Sequence, residues 1–191
     1  MCKSYSLFLD TTQDFCNIAI LKDDKLQSFL YLPTNKNMTD IVVKHIKDEL
    51  NKNHVKFEQL KNLYLLIGPG SFTGCRVGYI VITTFANLLN IPIYYLNSLV
   101  FQTKDGNGIS IIDAKSNKKY FAVYQNYKDI VEPQLVLNTE INDLINQHSK
   151  LTIFEDYKDV NIKKNLIQHW SHFTKCEDIS KLEPLYIKDP L

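Results

Sequence analysis

Apolar and polar positions follow strand-like runs at the start of the chain and helical spacing soon after. Residues 5–9 form a short apolar run ending in Asp10-Thr11-Thr12, and 17–21 and 27–32 read as two further strands joined by the polar turn Lys22-Asp23-Asp24-Lys25. From Thr39-Asp40 to about residue 50, Ile41, Val42, His45, Ile46 and Leu50 recur at helical period and fill a broad face. The continuously apolar run 63–67 reads as a buried strand, and a helical pattern over 71–89 follows it, with Ser71 placed to cap the first turn. A strand over 91–97, introduced by Pro92, and the segment Asn97-Ser98-Leu99-Val100-Phe101-Gln102 close this half. The order of three strands, helix, strand, helix, strand predicts a hairpin meander extended by parallel strands with crossover helices.

The polar, glycine-rich stretch Lys104-Asp105-Gly106-Asn107-Gly108 marks a boundary, giving an expected first lobe over 1–104 and a smaller second lobe over 105–191. In the second, strands are expected at 109–112, 120–127, 130–137 and 151–154. Helices are expected at 139–148, with Ile141, Leu144 and Ile145 inward, and at 161–170. Neither half contains a low-complexity segment or heptad run.

Between the run 63–67 and the helix lies Ile67-Gly68-Pro69-Gly70-Ser71-Phe72-Thr73-Gly74-Cys75-Arg76-Val77-Gly78, which holds four of the six glycines and the single arginine. A tight glycine turn opening a helix is a setting that meets phosphates, because free N–H groups and the helix dipole point the same way. The mononucleotide loop does not fit: the spacing from Gly70 to Gly74 is one residue short, and Cys75-Arg76 stands in place of Lys-Ser. The dinucleotide loop fits poorly, since Gly68-x-Gly70-x-x-x-Gly74 has the wrong spacing and no acidic residue occurs between Glu58 and Asp105. The plain alternative is that the glycines turn the chain and let the helix lie close, Gly74 and Gly78 giving a contact free of side chains. Glycine in a helix costs about 1 kcal/mol against alanine, so close approach must offset it. Arg76 on the first turns opposes the dipole by roughly 0.3–1 kcal/mol, which predicts a compensating carboxylate or ligand phosphate.

Composition narrows the function classes. With 191 residues, 45% apolar and 23% charged, the chain can bury a sizeable core. A formal charge of +1 argues against binding nucleic acid through net field, and Lys118-Lys119 and Lys163-Lys164 are short basic pairs of the kind found on solvated faces. Cys2, Cys16, Cys75 and Cys176 are scattered without a Cys-x-x-Cys pair, which suggests reduced thiols rather than zinc or redox chemistry. His45 and His54 lie nine apart and do not share a helical face, and His148, His169 and His172 show no catalytic spacing. No signal peptide or membrane-length apolar run is read, so a cytoplasmic protein is expected.

The string Gly68-Pro69-Gly70-Ser71-Phe72-Thr73-Gly74-x-Arg76-x-Gly78 resembles the central motif of the TsaB family, also called YeaZ, whose members serve in making threonylcarbamoyladenosine (t6A) at position 37 of tRNA. The resemblance implies an α/β, actin-like ATPase (ribonuclease H-like) fold of two lobes, the second reduced. It extends to Asp10-Thr11-Thr12, where the family writes Asp-Thr-Ser, and to Asp113-Ala114-Lys115, where it writes Asp-Ala-Arg. Lys118-Lys119 stands for Glu-Val ahead of a retained Tyr120, and Pro184-Leu185-Tyr186-Ile187-Lys188 is similar to the Pro-x-Tyr-Leu-Arg ending. Met38-Thr39-Asp40 replaces a His-Ser-Glu found in many members. In actin-like ATPases the place of Asp10 approaches phosphates and metal; a turn-capping carboxylate is the other reading, and Asp113 is a further ligand-facing candidate.

In TsaD, the catalytic relative, the segment after the glycine helix reads Asn-His-x-x-x-His and its histidines hold a metal. Here Ser98 and Gln102 stand in that frame, so a metal-dependent role is not expected. The expected function is a non-catalytic pseudo-enzyme subunit that binds and activates a TsaD-like enzyme. The alternative is a stand-alone actin-like ATPase or peptidase-like enzyme, for which no nucleophile–base arrangement is discernible and Cys75 has no evident base. The resemblance further implies no cofactor of its own, ATP or ADP only at the complex interface, a TsaE-like ATPase as a further partner, homodimers when alone, tRNA contact through the complex only, and no membrane. Ile41, Val42, Val43 and Ile46 spread around the first helix, and Val77, Tyr79, Ile80, Val81, Ile82 and Phe85 around the second. One side of each can face a sheet, so these helices are the expected partner face, with Val43, Tyr79 and Ile82 as contact candidates and Gly74 and Gly78 admitting a close helix.

Overall fold

The computed structural model describes residues 4–33 and 38–187; Cys2 and Lys188, and the side chain of Met38, lie outside the described residues. The chain divides into two compact units, one of Met1–Ile67, Ser71–Leu96 and Phe173–Pro184, the other of Gly68–Gly70, Asn97–His172 and Leu185–Leu191. The division after Leu96 precedes the glycine-rich stretch at 104–108, which lies inside the second unit. Residues 173–184 return to the first unit, which sequence spacing did not suggest.

In the first unit β1 (Tyr5–Asp10), β2 (Phe15–Lys22) and β3 (Lys25–Pro33) form the expected antiparallel meander. The helix α1 (Met38–Lys52) leads to β4 (Leu60–Leu66), and α2 (Phe72–Leu89) leads to β5 (Ile93–Leu96). β4 lies parallel to both β1 and β5, as crossovers through helices produce. The two-residue strand β10 (Thr174–Lys175) then pairs antiparallel with β5, giving the order β10-β5-β4-β1-β2-β3. Strand alternation directs Leu7, Leu9, Ile18, Ile20, Leu63, Leu65 and Ile93 to one face, and there Val42, Ile46 and Leu50 of α1 and Val77, Val81, Ile82 and Ala86 of α2 complete a single core. The opposite face carries Phe8 and a stacked pair, Tyr64 and Tyr94, with Phe173 edge-on to Phe8 and Tyr64. β1 is therefore buried throughout.

In the second unit the short helix α3 (Ser98–Gln102) precedes β6 (Gly108–Lys115), β7 (Lys118–Gln125) and β8 (Lys128–Leu137), another antiparallel meander. The helix α4 (Ile141–Gln147) connects to β9 (Ile153–Glu155), which lies parallel to β6, and α5 (Ile162–His169) follows. The core is Ile109, Ile111, Phe121, Val123 and Val136, and the expected Ile141, Leu144 and Ile145 pack against it half-buried.

The seat of α2 is set by its glycines. A β-carbon on Gly74 would run into the carbonyl of Thr11, and one on Gly78 would meet the Thr11 hydroxyl and come within 3.2 Å of Leu65 Cδ1. Among the described residues α2 is the one helix long and apolar enough to cross a membrane by composition, yet in this fold Val77, Val81 and Ile82 pack on the sheet. Gly74→Ala should cost about 1–3 kcal/mol by overpacking against backbone, and Gly78→Ala less, because a side chain can move. Melting temperatures should fall by roughly 2–4 °C per kcal/mol. Adding Thr11→Ala should restore part of the loss in Gly78→Ala and little in Gly74→Ala; equal rescue of both would refute this packing.

Candidate functional site

The turn after β1 and the start of α2 are built on each other. Thr11 donates its hydroxyl to the Gly74 carbonyl at 2.7 Å, and the Ser71 amide donates to the Thr12 carbonyl at 2.7 Å. Ser71 caps α2 as expected, its Oγ accepting from the Gly74 amide at 3.2 Å. Gly74 and Gly78 are buried against Thr11, so they admit the chain's own turn and not a partner helix.

Asp10 lies at the centre of this arrangement and is fully buried. Its Oδ1 accepts from the Thr12 backbone amide at 2.9 Å and the Thr12 hydroxyl at 2.8 Å, and its Oδ2 accepts from Asn17 Nδ2 at 3.0 Å. Burial raises its pKa above the usual carboxylate value, opposed by those hydrogen bonds. This is the turn-capping reading of Asp10. The carboxylate is directed at its own turn and at β2. Burial and the Asp10 charge push the thiols of Cys16 and Cys75 up to about 12, which removes both as nucleophiles near neutrality.

Gly68, within the second unit by its contacts, has φ of 100°, a region open to glycine, and its carbonyl accepts from the Ser98 amide at 2.7 Å. Ser98 and Gln102, one turn apart on α3, are both fully buried. Asn97 caps that helix, its Oδ1 accepting from the Val100 amide at 2.8 Å. Gln102 donates through Nε2 to Ser110 Oγ at 2.7 Å and the Ile111 carbonyl at 3.0 Å, while its Oε1 accepts from the Tyr157 amide at 3.0 Å. Tyr157 in turn donates its hydroxyl to the Ser98 carbonyl at 3.0 Å. The frame that in TsaD carries two imidazoles here ties α3 to β6 and to the turn at Tyr157. A hydroxyl and an amide bonded in this way do not make a metal-ligand pair. No signal in the sequence alone identified Gln102 as the hub of this network.

The remaining candidates separate. Asp113, half-buried, accepts from the Lys115 amide at 3.2 Å and pairs with Lys115 Nζ at 3.0 Å, and these contacts hold its pKa below the usual value. Lys119 is paired with Glu155 at 3.2 Å and lies 3.9 Å from Asp156, so it is engaged within its own unit. Arg76 is exposed and its guanidinium lies 3.9 Å from the centroid of the Phe72 ring. On the helices, Val43 is 48% exposed, but Ile82 is fully buried and Tyr79 is half-buried against the core. The outward large apolar residues of α2 are Phe72 at 57%, Ile80 at 58% and Leu88 at 71% exposed. Ile82 is thereby corrected from a contact candidate to a core residue: α2 is turned so that Gly78, Val81 and Ile82 face inward.

Three comparisons bear on this arrangement. The model of the family described as TsaD, tRNA N6-adenosine threonylcarbamoyltransferase, matches residues 33–174. A Mycoplasma genitalium protein named uncharacterized protein MG208 is 32% identical over 98% of this chain and 96% of its own. The Bacillus subtilis tRNA threonylcarbamoyladenosine biosynthesis protein TsaB is 26% identical over 85% of this chain and 74% of its own. Among solved structures, YeaZ from Pseudomonas aeruginosa superposes with a TM-score of 0.75 at 17% identity, covering 96% of this chain and all of that one, which shows a shared fold.

The buried Asp10 yields a pH prediction. An acid whose folded pKa is raised favours the folded state in its protonated form; that contribution is complete below the unfolded value near pH 4 and is lost as pH rises through the folded value. Asp10→Asn keeps the acceptor toward Thr12 and does not titrate. The melting temperature of the wild type minus that of the variant should therefore be largest near pH 4 and decline toward neutrality. A difference that grows with pH would contradict the buried setting.

Proposed function

As the chain belongs to the TsaB (YeaZ) family, with the actin-like, ribonuclease H-like fold, we propose that it serves tRNA threonylcarbamoyladenosine biosynthesis as a non-catalytic subunit that binds and activates a TsaD-like enzyme. The observation that carries this reading is the setting of Ser98 and Gln102, whose frame is closed by the unit's own hydrogen bonds. The inward-facing carboxyl of Asp10 and the raised thiols of Cys16 and Cys75 support it over a stand-alone ATPase or peptidase-like enzyme. In this reading the chain carries no cofactor, and any ATP or ADP sits at the interface of the complex. It acts in the cytoplasm, meets tRNA and a TsaE-like ATPase within the assembly, and pairs with itself when alone.

The partner face is the outer side of α1 and α2. Val43, Ile80 and Leu88 are large, apolar and exposed, and Arg76 is the single charged residue of α2. A stable interface of at least about 1,000 Å² centred on such residues is expected.

Transfer of the threonylcarbamoyl group to tRNA should require both this chain and the TsaD-like subunit of the same organism. Equal transfer without this chain would overturn the reading, as would ATP hydrolysis by this chain alone. Val43→Lys and Ile80→Lys should each weaken the complex at least about tenfold, about 1.4 kcal/mol. Because both side chains are exposed, melting temperature should be unchanged. Full binding by both variants, read by calorimetry, would remove this face.

A further inference from the structure

In the second unit β8 is an edge strand, paired among the described residues with β7 alone in the order β8-β7-β6-β9. An edge offers unbonded N–H and C=O groups to any chain that lies beside it. The first part of β8 is guarded by the charges of Asp129 and Glu132 and by Pro133, which has no N–H. The last part, 134–137, carries neither charge nor proline. Its register with β7 is unshifted from Gln134 to Leu137, and the Asn138 amide continues the ladder by donating to the Asn117 carbonyl at 3.0 Å. Residues that bond across an antiparallel pair alternate with residues that face away. Gln134 and Val136 therefore bond to β7 as Asn138 does, and Leu135 and Leu137 face outward. Leu137 is taken by Glu140, its amide donating to Oε2 at 2.8 Å and its carbonyl accepting from the Glu140 amide at 3.0 Å. The N–H and C=O of Leu135 point to the open side of the strand.

That open side is one wall of a groove of about 390 Å³, and α4 is the other. Glu140, which precedes the first turn of α4, lines it with Asp143, Leu144 and Gln147, at the three- and four-residue spacing of a single helix face. The lining includes no Lys or Arg, and neither carboxylate is ion-paired among the described residues. A free strand edge beside a helix suits an extended peptide, whose main-chain bonds give affinity while the groove selects alternate side chains. Two carboxylates without a counter-ion select a cation among those side chains, and Leu144 beside them selects an apolar one. We propose that this groove binds an extended protein segment by strand addition at Leu135, with an Arg or Lys of the segment set against Glu140 and Asp143 and an apolar side chain two positions away against Leu144. The site belongs to the second unit and does not rest on the partner-subunit reading.

The test is fluorescence anisotropy of the full chain with a labelled peptide, acetyl-Thr-Arg-Thr-Val-Thr-Arg-Thr-amide, which in extended form puts Arg, Val and Arg on one face. Saturable binding with Kd below about 1 mM is expected, weakening as salt is raised. The same peptide with its three central amides N-methylated, and one with Glu for each Arg, should bind at least about tenfold more weakly. Asp143→Lys, at an exposed position, should weaken binding about tenfold, whereas Asp48→Lys, the same charge change at an exposed position of α1, should stay within about twofold. Leu135→Pro removes the outward N–H and should abolish binding; the peptides and Asp143→Lys decide the matter if that variant does not fold. Equal binding by the N-methylated peptide would show charge attraction without strand addition and overturn the proposal. So would an equal loss in Asp48→Lys, or the absence of saturable binding by the wild type below about 1 mM.

Discussion

The contact between the Thr11 turn and the first two turns of α2 is the constraint on which the first unit depends. Gly74 and Gly78 remove the side chains that would hold the helix away, and the Thr11 hydroxyl and Ser71 amide then bond across the gap. That contact fixes the rotation of α2. With Gly78 inward, Val81 and Ile82 must face the sheet and Ile80 and Leu88 must face out. With Arg76 the single charged residue of α2, the outer face is almost uncharged at any rotation, and the packing of one end of the helix decides which apolar residues that face presents.

A second consequence is that positions able to carry chemistry in this fold hold structure here. Asp10 caps the turn that receives α2, and its burial would make ionisation unfavourable without Thr12 and Asn17. Gln102 makes three buried hydrogen bonds to groups on β6 and at Tyr157, and supplies the acceptor for the buried Tyr157 amide inside the second unit. Function on this account is exported to a surface whose apolar residues have no cover within their own unit.

Much of the fold was legible in the sequence because its signals were local. Strand runs around the polar hairpin, the Ser71 cap, the glycine string and the periodic face of α1 each specify an element by themselves. What stayed hidden depends on distant partners. The rotation of α2 could not be read because Val77, Tyr79, Ile80, Val81, Ile82 and Phe85 surround it and leave no polar side to set the phase. The two residues of β10 are too few for a strand signal and exist because β5 offers a free edge. The division after Leu96, ahead of the glycine stretch, reflects Asn97 and Ser98 bonding to Tyr124, Tyr157 and Gly68, none of them near in sequence. Burial of Asp10 was open between two readings because a carboxylate at a strand end looks alike in both.

The central claim separates residues that shape this chain from residues that act on a partner, and a titration of the TsaD-like subunit tests it directly. Threonylcarbamoyl transfer would be followed against concentration of this chain as wild type, Asp10→Asn and Ile80→Lys. The account predicts that Asp10→Asn reaches the same maximal rate at the same half-saturating concentration, while Ile80→Lys reaches that rate only at concentrations about tenfold higher or more. Loss of the maximal rate in Asp10→Asn, with half-saturation unchanged, would show that Asp10 takes part in the chemistry and would contradict the account.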